Sequence, residues 1–240
     1  SVIIAGNSLR LYLSTDSGAN WSEVQPAGNV NKNWQTSAMS DDGSVIIAGN
    51  SLRLYLSTDS GTSWSEARPA GNANKNWYTS AMSDDGSVIL AGVYNGRLYL
   101  STNSGSTWSE VQPAGDANKN WRVSSMSADG SIILAGVSGG RLYLSTDSGE
   151  NWSEVKPAGG ENKYWQTSAM SDDGSIILAG VNGGRLYLST DSGENWSKVH
   201  ENKYWRTSAM SDDGSVIIAG VYGGRLYLST DSGANWSEVK

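Results

Sequence analysis

The side chains best suited to chemistry in this sequence are arginines. One Arg position recurs six times, always two residues before a Tyr, and a guanidinium group can bind a carboxylate through two parallel hydrogen bonds. Variable aromatic and Arg side chains occur in the connections nearby, where they would stack on a sugar and hydrogen-bond to it. The candidate ligand-binding residues are therefore Arg10, Arg53, Arg97, Arg141, Arg185, Arg225, Tyr94, Tyr222, Arg122 and Arg206.

The same repetition argues against catalysis. A catalytic site needs different groups that converge at one place, and near-identical units do not readily provide such a place. His200 is the single His of the chain, it lies where one repeat is shortened, and no Ser or Cys partner is evident. We expect it to be an exposed loop residue, and we predict no catalytic residue, no cofactor and no metal.

The octet S-T-D-S-G-x-x-W (with Asn for Asp in the third copy) occurs six times, with steps of 43, 44, 44, 44 and 40 residues between successive copies. A fixed period of this size indicates a repeat architecture whose units stack on their neighbours. The Asp can accept backbone hydrogen bonds in a turn, the Gly can adopt positive φ, and the Trp can pack over the hairpin. The predicted structural residues are Asp16, Asp59, Asn103, Asp147, Asp191, Asp231, Trp21, Trp64, Trp108, Trp152, Trp196 and Trp236. Calcium is the alternative role, although one carboxylate per turn is poor ligation for an ion that takes six to eight oxygens.

Each repeat reads as four short antiparallel strands, A to D. In residues 32–68, a β-compatible stretch from Trp34 ends at an Asp-Gly turn, and a continuous apolar run from Val45 follows. A third strand begins at Arg53, and the octet then turns the chain into a fourth at Trp64. No segment has a helical period, so the sequence predicts an all-β β-propeller built from four-stranded blades.

We predict one propeller domain over residues 1–240. Its repeats cover residues 1–28, 29–71, 72–115, 116–159, 160–200 and 201–240. Strands B, C and D occur six times but strand A only five, which favours six blades with one lacking its inner strand. The alternatives are a five-bladed ring with a spare B-C-D set, or a strand A supplied by another molecule or by residues outside this sequence. An incomplete blade exposes a sheet edge and invites self-association.

The octet resembles the Asp-box, or bacterial neuraminidase repeat, of sialidases and other Asp-box propellers. The resemblance covers all six repeats and implies a structural role for the octet, away from any active site. It would also imply three Arg that clamp a substrate carboxylate, a Tyr nucleophile paired with Glu, and a nearby Asp. Those residues are unique in the family, whereas the Arg and Tyr here are repeated, so hydrolysis is disfavoured. Asn103 preserves the turn and removes its charge.

The charges divide between the two ends of the strands. The A–B turns and the octets contain many carboxylates and no base, whereas the other connections contain the strand C arginines and Lys32, Lys75, Lys119, Lys163 and Lys203. The simplest interpretation is that these charged residues lie in solvated turns, and that each Arg–Glu pair contributes little to stability. The more specific hypothesis is that the D–A and B–C loops form a basic face that binds an anionic ligand such as an acidic glycan. A second consequence would be self-association, in which the basic face of one disc-shaped propeller stacks on the acidic face of another.

The composition limits the partners. A net charge of −7 argues against general nucleic-acid binding, and no apolar run approaches the ~20 residues that cross a bilayer. The absence of Cys excludes disulfides and thiolate metal sites. The near-identity of the repeats indicates recent copying or deliberate construction. We therefore expect a non-catalytic scaffold or binding module, with a multivalent lectin as the alternative.

Overall fold

The computed structural model describes residues 1–239, which form strands and turns and no helix. The predicted all-β class is therefore confirmed. A membrane-spanning helix is accordingly not found among these residues. The chain divides into two compact units, Ser1–Trp121 and Arg122–Lys240.

Each repeat contains the predicted strands. Strand A is Trp34–Met39, Trp77–Met82, Lys119–Met126 and Lys163–Met170 in repeats two to five. Strand B is Ile3–Gly6, Ile46–Asn50, Ile89–Gly96, Ile133–Gly140 and, in the sixth repeat, Ile217–Val221. Strand C is Leu11–Ser14, Leu54–Ser57, Leu98–Ser101, Leu142–Ser145 and Leu226–Ser229, and strand D is Ser22–Val24, Ser65–Ala67, Ser109–Val111, Ser153–Val155 and Ser237–Val239. Two strands are fused: Ile177–Ser189 is strands B and C of the fifth repeat, and Ser197–Met210 joins its strand D to strand A of the sixth.

The strands of one repeat pair in antiparallel order. In the second repeat Met39 pairs with Ile46, Ile46 with Ser57, and Leu56 with Ser65. The first repeat is a three-stranded sheet of strands B, C and D, and Ile3–Gly6 lies at its edge. The strands of each repeat are therefore as the sequence predicted. The number of blades, six, stays a prediction.

The core lies between consecutive sheets within each unit. Strand B is an uninterrupted apolar run because both of its faces are covered, and Ile46, Ile47 and Ala48 have no exposed surface. Ile47 of the second repeat packs in one cluster with Ile89 of the third. Burying each such side chain contributes about 1.5–3 kcal/mol, so a repeat depends on its neighbour for much of its stability.

A Trp of strand A links each repeat to the one before it. The Trp77 side chain lies over Gly49 in strand B of the preceding repeat, where a Cβ on the glycine would be 2.7 Å from the Trp77 Cβ. The Trp77 ring also packs against Tyr99 of its own strand C, with centroids 5.6 Å apart. Trp205 makes the equivalent contacts with Gly180 and Tyr227. The glycine is required because a Cβ at this position would crowd the Cβ of the Trp, which the strand A backbone holds in place.

The shortened connection before His200 is a strand and not a loop. Because four residues are missing there, the fifth strand D continues directly into the sixth strand A, and His200 pairs with Leu186. The His200 ring is half-buried and packs edge-on against Trp205, Tyr227 and Trp236. The expectation of an exposed loop residue was wrong, since the deletion pulls the side chain into the aromatic cluster.

The first and last sheets are less covered than the others. Ile3 is 37% exposed, whereas Ile46, its counterpart in the second repeat, is fully buried. Leu226 in the sixth repeat is 43% exposed, whereas Leu186 is fully buried. Gly220 has no Trp within 4 Å, in contrast to Gly180. Each of these positions lacks the neighbour that a strand A supplies elsewhere in the chain.

Candidate functional site

The octet is a turn whose polar groups bond to one another. In the fourth repeat the Ser145 hydroxyl donates to Asp147 Oδ1 at 2.8 Å and accepts from the Gly149 N–H at 2.8 Å. The other Asp147 contacts come from the N–H of Asn151 at 2.8 Å and its Nδ2 at 2.7 Å. Trp152 Nε1 donates to the Gly149 carbonyl at 3.0 Å. Both carboxylate oxygens are thus engaged within the turn.

Two consecutive residues of the octet have positive φ. The Gly was expected there and Gly149 has φ 87°, but Ser148 also has φ 56°. Its N–H donates to the carbonyl of Ser131, just after the A–B turn, at 2.9 Å. The same conformation occurs at Ser17, Ser60, Ser104, Ser192 and Ser232. The left-handed serine therefore links the two turns at one end of each sheet.

The A–B turn is a second Ser-x-Asp motif that the sequence interpretation missed. Ser127 Oγ donates to Asp129 Oδ1 at 2.7 Å and accepts from the Ile132 N–H at 2.9 Å. Asp129 Oδ1 also accepts from the Ser131 N–H at 2.9 Å. The recurring spacing S-x-D-G-S, which repeats the Ser-x-Asp of the octet, was the signal that could have revealed it.

These bonds lower the pKa of the turn carboxylates. The pKa of Asp16 falls to about 2, chiefly because the backbone N–H of Asn20 donates to it. The pKa of Asp213 falls to about 2, chiefly because of the backbone N–H of Ser215. Three or more His, Cys, Asp or Glu do not come together as a metal site anywhere in residues 1–239. The carboxylates here are charged hydrogen-bond acceptors inside turns.

The Trp of the octet is only partly covered. Trp21 is 44% exposed and the others are half-buried, whereas the strand A residues Trp121, Trp165 and Trp205 are almost fully buried. The octet indole thus holds the turn through its Nε1 bond. The deep aromatic packing belongs to strand A.

At the opposite end of the strands, five of the six repeated arginines pair with a strand D Glu. Arg10 lies 3.0 Å from Glu23 and Arg141 lies 3.2 Å from Glu154. The other three such pairs are Arg53–Glu66, Arg97–Glu110 and Arg225–Glu238. A pair of this kind leaves little charge for a ligand.

In the second, third and fourth repeats the phenol of the repeated Tyr has a raised pKa, whereas in the sixth the Tyr227 hydroxyl lies 3.5 Å from Glu238 Oε2. Burial and the nearby Glu66 raise the pKa of the Tyr55 phenol, and the pKa values of Tyr99 and Tyr143 are raised for the same reasons. A nucleophile is activated by a lowered pKa or by an adjacent base. The Tyr55 ring instead packs against Trp34, with centroids 5.8 Å apart.

The fifth-repeat pocket is a cavity of about 510 Å³ among the D–A and B–C connections of the second unit. Its charged lining residues are Lys163, Arg185, Lys198 and Glu161. Lys163 Nζ lies 2.6 Å from Glu161. The polar wall is completed by Tyr164, Asn182 and Asn202. Its volume falls in the range of small-molecule sites.

The sixth-repeat pocket, of about 500 Å³, is built from the equivalent residues of the next repeat. Lys203 and Tyr204 replace Lys163 and Tyr164, and Arg225 replaces Arg185. Glu238 stands where the fifth-repeat pocket has Lys198. The two cavities are therefore similar in volume and differ in charge.

The other candidates do not converge with these pockets. Tyr94 is exposed and stacks beside Tyr78, with centroids 5.5 Å apart. Tyr222 and Arg206 are exposed, and Arg122 is half-buried. Of the sequence candidates, the two pockets bring in only Arg185 and Arg225.

Comparisons with known proteins identify the fold. No protein-family model matches the sequence. No curated protein matches it either. Among solved structures, the chain is similar to an ancestral GH74 enzyme, with TM-score 0.73 and 20% identity over 98% of this chain and 36% of that one. It is also similar to YCF48 from Cyanidioschyzon merolae, with TM-score 0.68 and 15% identity over 99% and 83% of the two chains.

A third similar structure comes from the nidogen/laminin complex, with TM-score 0.69 and 9% identity over 98% of this chain and 90% of that one. These likenesses, together with the all-β repeats, confirm the predicted β-propeller. The chain spans little more than a third of the GH74 enzyme chain. At such identities the likeness extends to the fold alone.

Proposed function

We propose that this chain is a non-catalytic propeller of the Asp-box type that works as a binding module, with its ligands at the D–A and B–C connections. The main support is the difference between the two ends of the strands. The turns at one end bond to themselves, as in Ser145 and Asp147. The octet end has a cavity of about 500 Å³, lined by Asp191 and Asp231, whose carboxylates are already bonded within their own turns. The two cavities of about 500 Å³ at the other end are lined by Lys, Arg, Tyr and Asn.

The absence of catalysis in this proposal is supported by the environment of the groups that a hydrolase would need. The phenol of Tyr55 has a raised pKa, and Arg53 is engaged by Glu66 at 3.3 Å. A glycosidase of the usual kind also needs two carboxyl groups that face one substrate position. Neither pocket provides them, since each has a single Glu among its lining residues.

A multivalent lectin is the more specific form of this proposal. Tyr164 is 64% exposed and Tyr204 is 62% exposed, and each borders an equivalent cavity. An exposed aromatic ring next to amide groups suits a sugar, which has an apolar face and hydroxyl edges. Weak sites of this kind gain from avidity when the ligand is a polymer.

A glycan array tests the proposal directly. We expect binding to a subset of glycans without release of any sugar from the bound compounds. A Tyr164→Ala and Tyr204→Ala double variant should retain its circular dichroism spectrum and lose most of that signal. Absence of binding to every glycan would contradict the binding module, and release of sugar would contradict its non-catalytic nature.

A further inference from the structure

We propose that the fifth-repeat pocket is a binding site for an anionic saccharide and that Lys198 is its specificity-determining residue. This inference rests on the proposed function and adds to it one location and one ligand class. The saccharide would have a carboxylate or sulfate group against the cations and a sugar ring against Tyr164.

Lys198 departs from a position that is otherwise constant. It pairs with Tyr187 across strands C and D, and the residues that pair with the equivalent Tyr in the other repeats are all Glu. They are Glu23, Glu66, Glu110, Glu154 and Glu238. The fifth repeat thus replaces a negative charge by a positive one at a fixed point of the sheet.

The replacement leaves Arg185 without its usual carboxylate. Each of the other five repeated arginines lies within 4.0 Å of the strand D Glu, as Arg141 does of Glu154 at 3.2 Å. Within residues 1–239, neither Arg185 nor Lys198 has a carboxylate that close. Both side chains are exposed and border the same cavity.

The resulting charge of the pocket favours an anion. Its lining contains three cations and one carboxylate, Glu161, which Lys163 already engages at 2.6 Å. The sixth-repeat pocket has two cations, and both are paired: Lys203 lies 2.8 Å from Glu201, the equivalent of Glu161, and Arg225 is paired with Glu238. Arg and Lys together bind carboxylate and sulfate oxygens through charge-assisted hydrogen bonds.

The remaining walls suit a sugar rather than a bare inorganic ion. One side of the Tyr164 ring faces Gly139, and most of the ring is open to solvent. Asn182 and Asn202 place amide donors and acceptors on the same cavity. A volume of about 510 Å³ far exceeds what a single sulfate ion fills.

The test uses the repeats as matched controls. Calorimetry at low salt would compare a heparin-derived tetrasaccharide, N-acetylneuraminic acid, sodium sulfate and maltotetraose, each with the intact chain and with two variants. Lys198→Glu restores the residue of the other five repeats, so it should fold. Glu238→Lys creates the same three cations in the sixth-repeat pocket. Unfolding temperatures check that all three proteins are folded.

We expect the intact chain to bind at least one anionic saccharide more tightly than sulfate or maltotetraose. Lys198→Glu should weaken this binding about tenfold or more, because it removes one charged hydrogen bond and restores the pair with Arg185. Glu238→Lys should add a second site of similar affinity. Added salt should weaken both sites.

Four outcomes would overturn the inference. Unchanged affinity in Lys198→Glu would place any anion site elsewhere, and equal affinity for sulfate would leave no role for the sugar. Binding of maltotetraose alone would remove the anion site and leave the binding module intact. Absence of binding here together with a blank glycan array would contradict the proposed function itself.

Discussion

At the residue scale, the chain is held together by one contact that recurs between repeats. Trp77 lies between Gly49 of the repeat before it and Tyr99 of its own repeat. The sequence showed that these residues recur, but not that they meet, because they belong to different repeats or to distant strands of one repeat. Close packing leaves no room for a side chain at the glycine.

The glycine contact makes a prediction that two equivalent positions can test. In Gly49→Ala the new Cβ would lie 2.7 Å from Trp77 Cβ and 3.0 Å from Thr36 Cγ2, so we expect the free energy of unfolding to fall by about 1–3 kcal/mol. Gly220→Ala meets Thr207 and Leu226 but no Trp, and Leu226 is partly exposed. Its loss should be smaller.

Urea unfolding of the two variants would measure the difference. Equal losses would mean that the Thr and Leu contacts, which both glycines share, dominate and that strand A shifts enough to relieve the contact with the Trp77 Cβ. A larger loss for Gly220→Ala would contradict the argument outright.

At the scale of the elements, the first sheet differs from the others because its strand B is an edge strand within the described residues. Ile3–Gly6 pairs with Leu11–Ser14 on one side only, whereas Ile46–Asn50 also pairs with Trp34–Met39. An unpaired strand presents backbone N–H and C=O groups to any chain that can add to it. We infer that this edge accepts a strand with the sequence of strand A.

A peptide offers the direct measurement. A synthetic peptide of residues 31–41, which contains Trp34–Met39, should bind the intact chain saturably and raise its unfolding temperature as its concentration increases. The control peptide has Pro in place of both Thr36 and Ser37. Adjacent strand residues direct their N–H groups to opposite sides, so one of the two prolines must remove a donor from the new ladder.

The contrast between the peptides decides the result. Equal binding of both would show a contact that does not need strand pairing. Sedimentation of the chain alone over a range of concentrations, with self-association that the first peptide suppresses, would extend the inference to contacts between copies.

At the scale of the whole molecule, the folded state depends on many carboxylates that stay charged. The turn carboxylates with lowered pKa values are Asp16, Asp42, Asp59, Asp85, Asp129, Asp147, Asp173, Asp191, Asp213 and Asp231. In each case the causes are hydrogen bonds inside a turn. The lowering of an Asp pKa by hydrogen bonds within a turn therefore recurs in every repeat.

This dependence predicts a loss of stability in acid. A carboxylate with a lowered pKa in the folded chain is stabilising above its unfolded value of 3.8, and its contribution is lost as the pH falls from there through the folded value, about 2 for Asp16. The urea midpoint should hold from pH 7 to about pH 4 and then fall steeply. A midpoint that does not change below about pH 4 would contradict the argument.

The third repeat supplies the control. Asn103 keeps the octet turn with a neutral side chain, and its Nδ2 donates to the Thr107 hydroxyl at 2.7 Å. Asp59→Asn can make the same bond to Ser63, which already contacts Asp59. This variant should retain its turn, and its urea midpoint should fall less between pH 4 and pH 2 because one carboxylate with a lowered pKa has been removed.

The all-β class, the propeller fold, the strands of each repeat and the glycine of the octet could all be predicted from the amino-acid sequence. These features follow from local patterns, since strand alternation, Asp-Gly turns and left-handed glycines each involve only a few residues. The same patterns recur from repeat to repeat. The left-handed serine is just as local, and it was missed because Ser rarely adopts positive φ. The Ser-x-Asp bonds of the A–B turn are local too, and the recurring S-x-D-G-S spacing could have revealed them.

The contacts between side chains of different strands and repeats could not be predicted in this way and were seen first in the folded chain. The fusion of two strands moved His200 from a predicted loop into an aromatic cluster, and the pairing of strands C and D placed Lys198 opposite Tyr187 beside Arg185. In sequence, Lys198 is one charged residue among many. The role that we propose for Lys198 depends on the register of strands C and D and on the neighbouring repeat, because the charge of a pocket is set by residues that lie far apart along the chain.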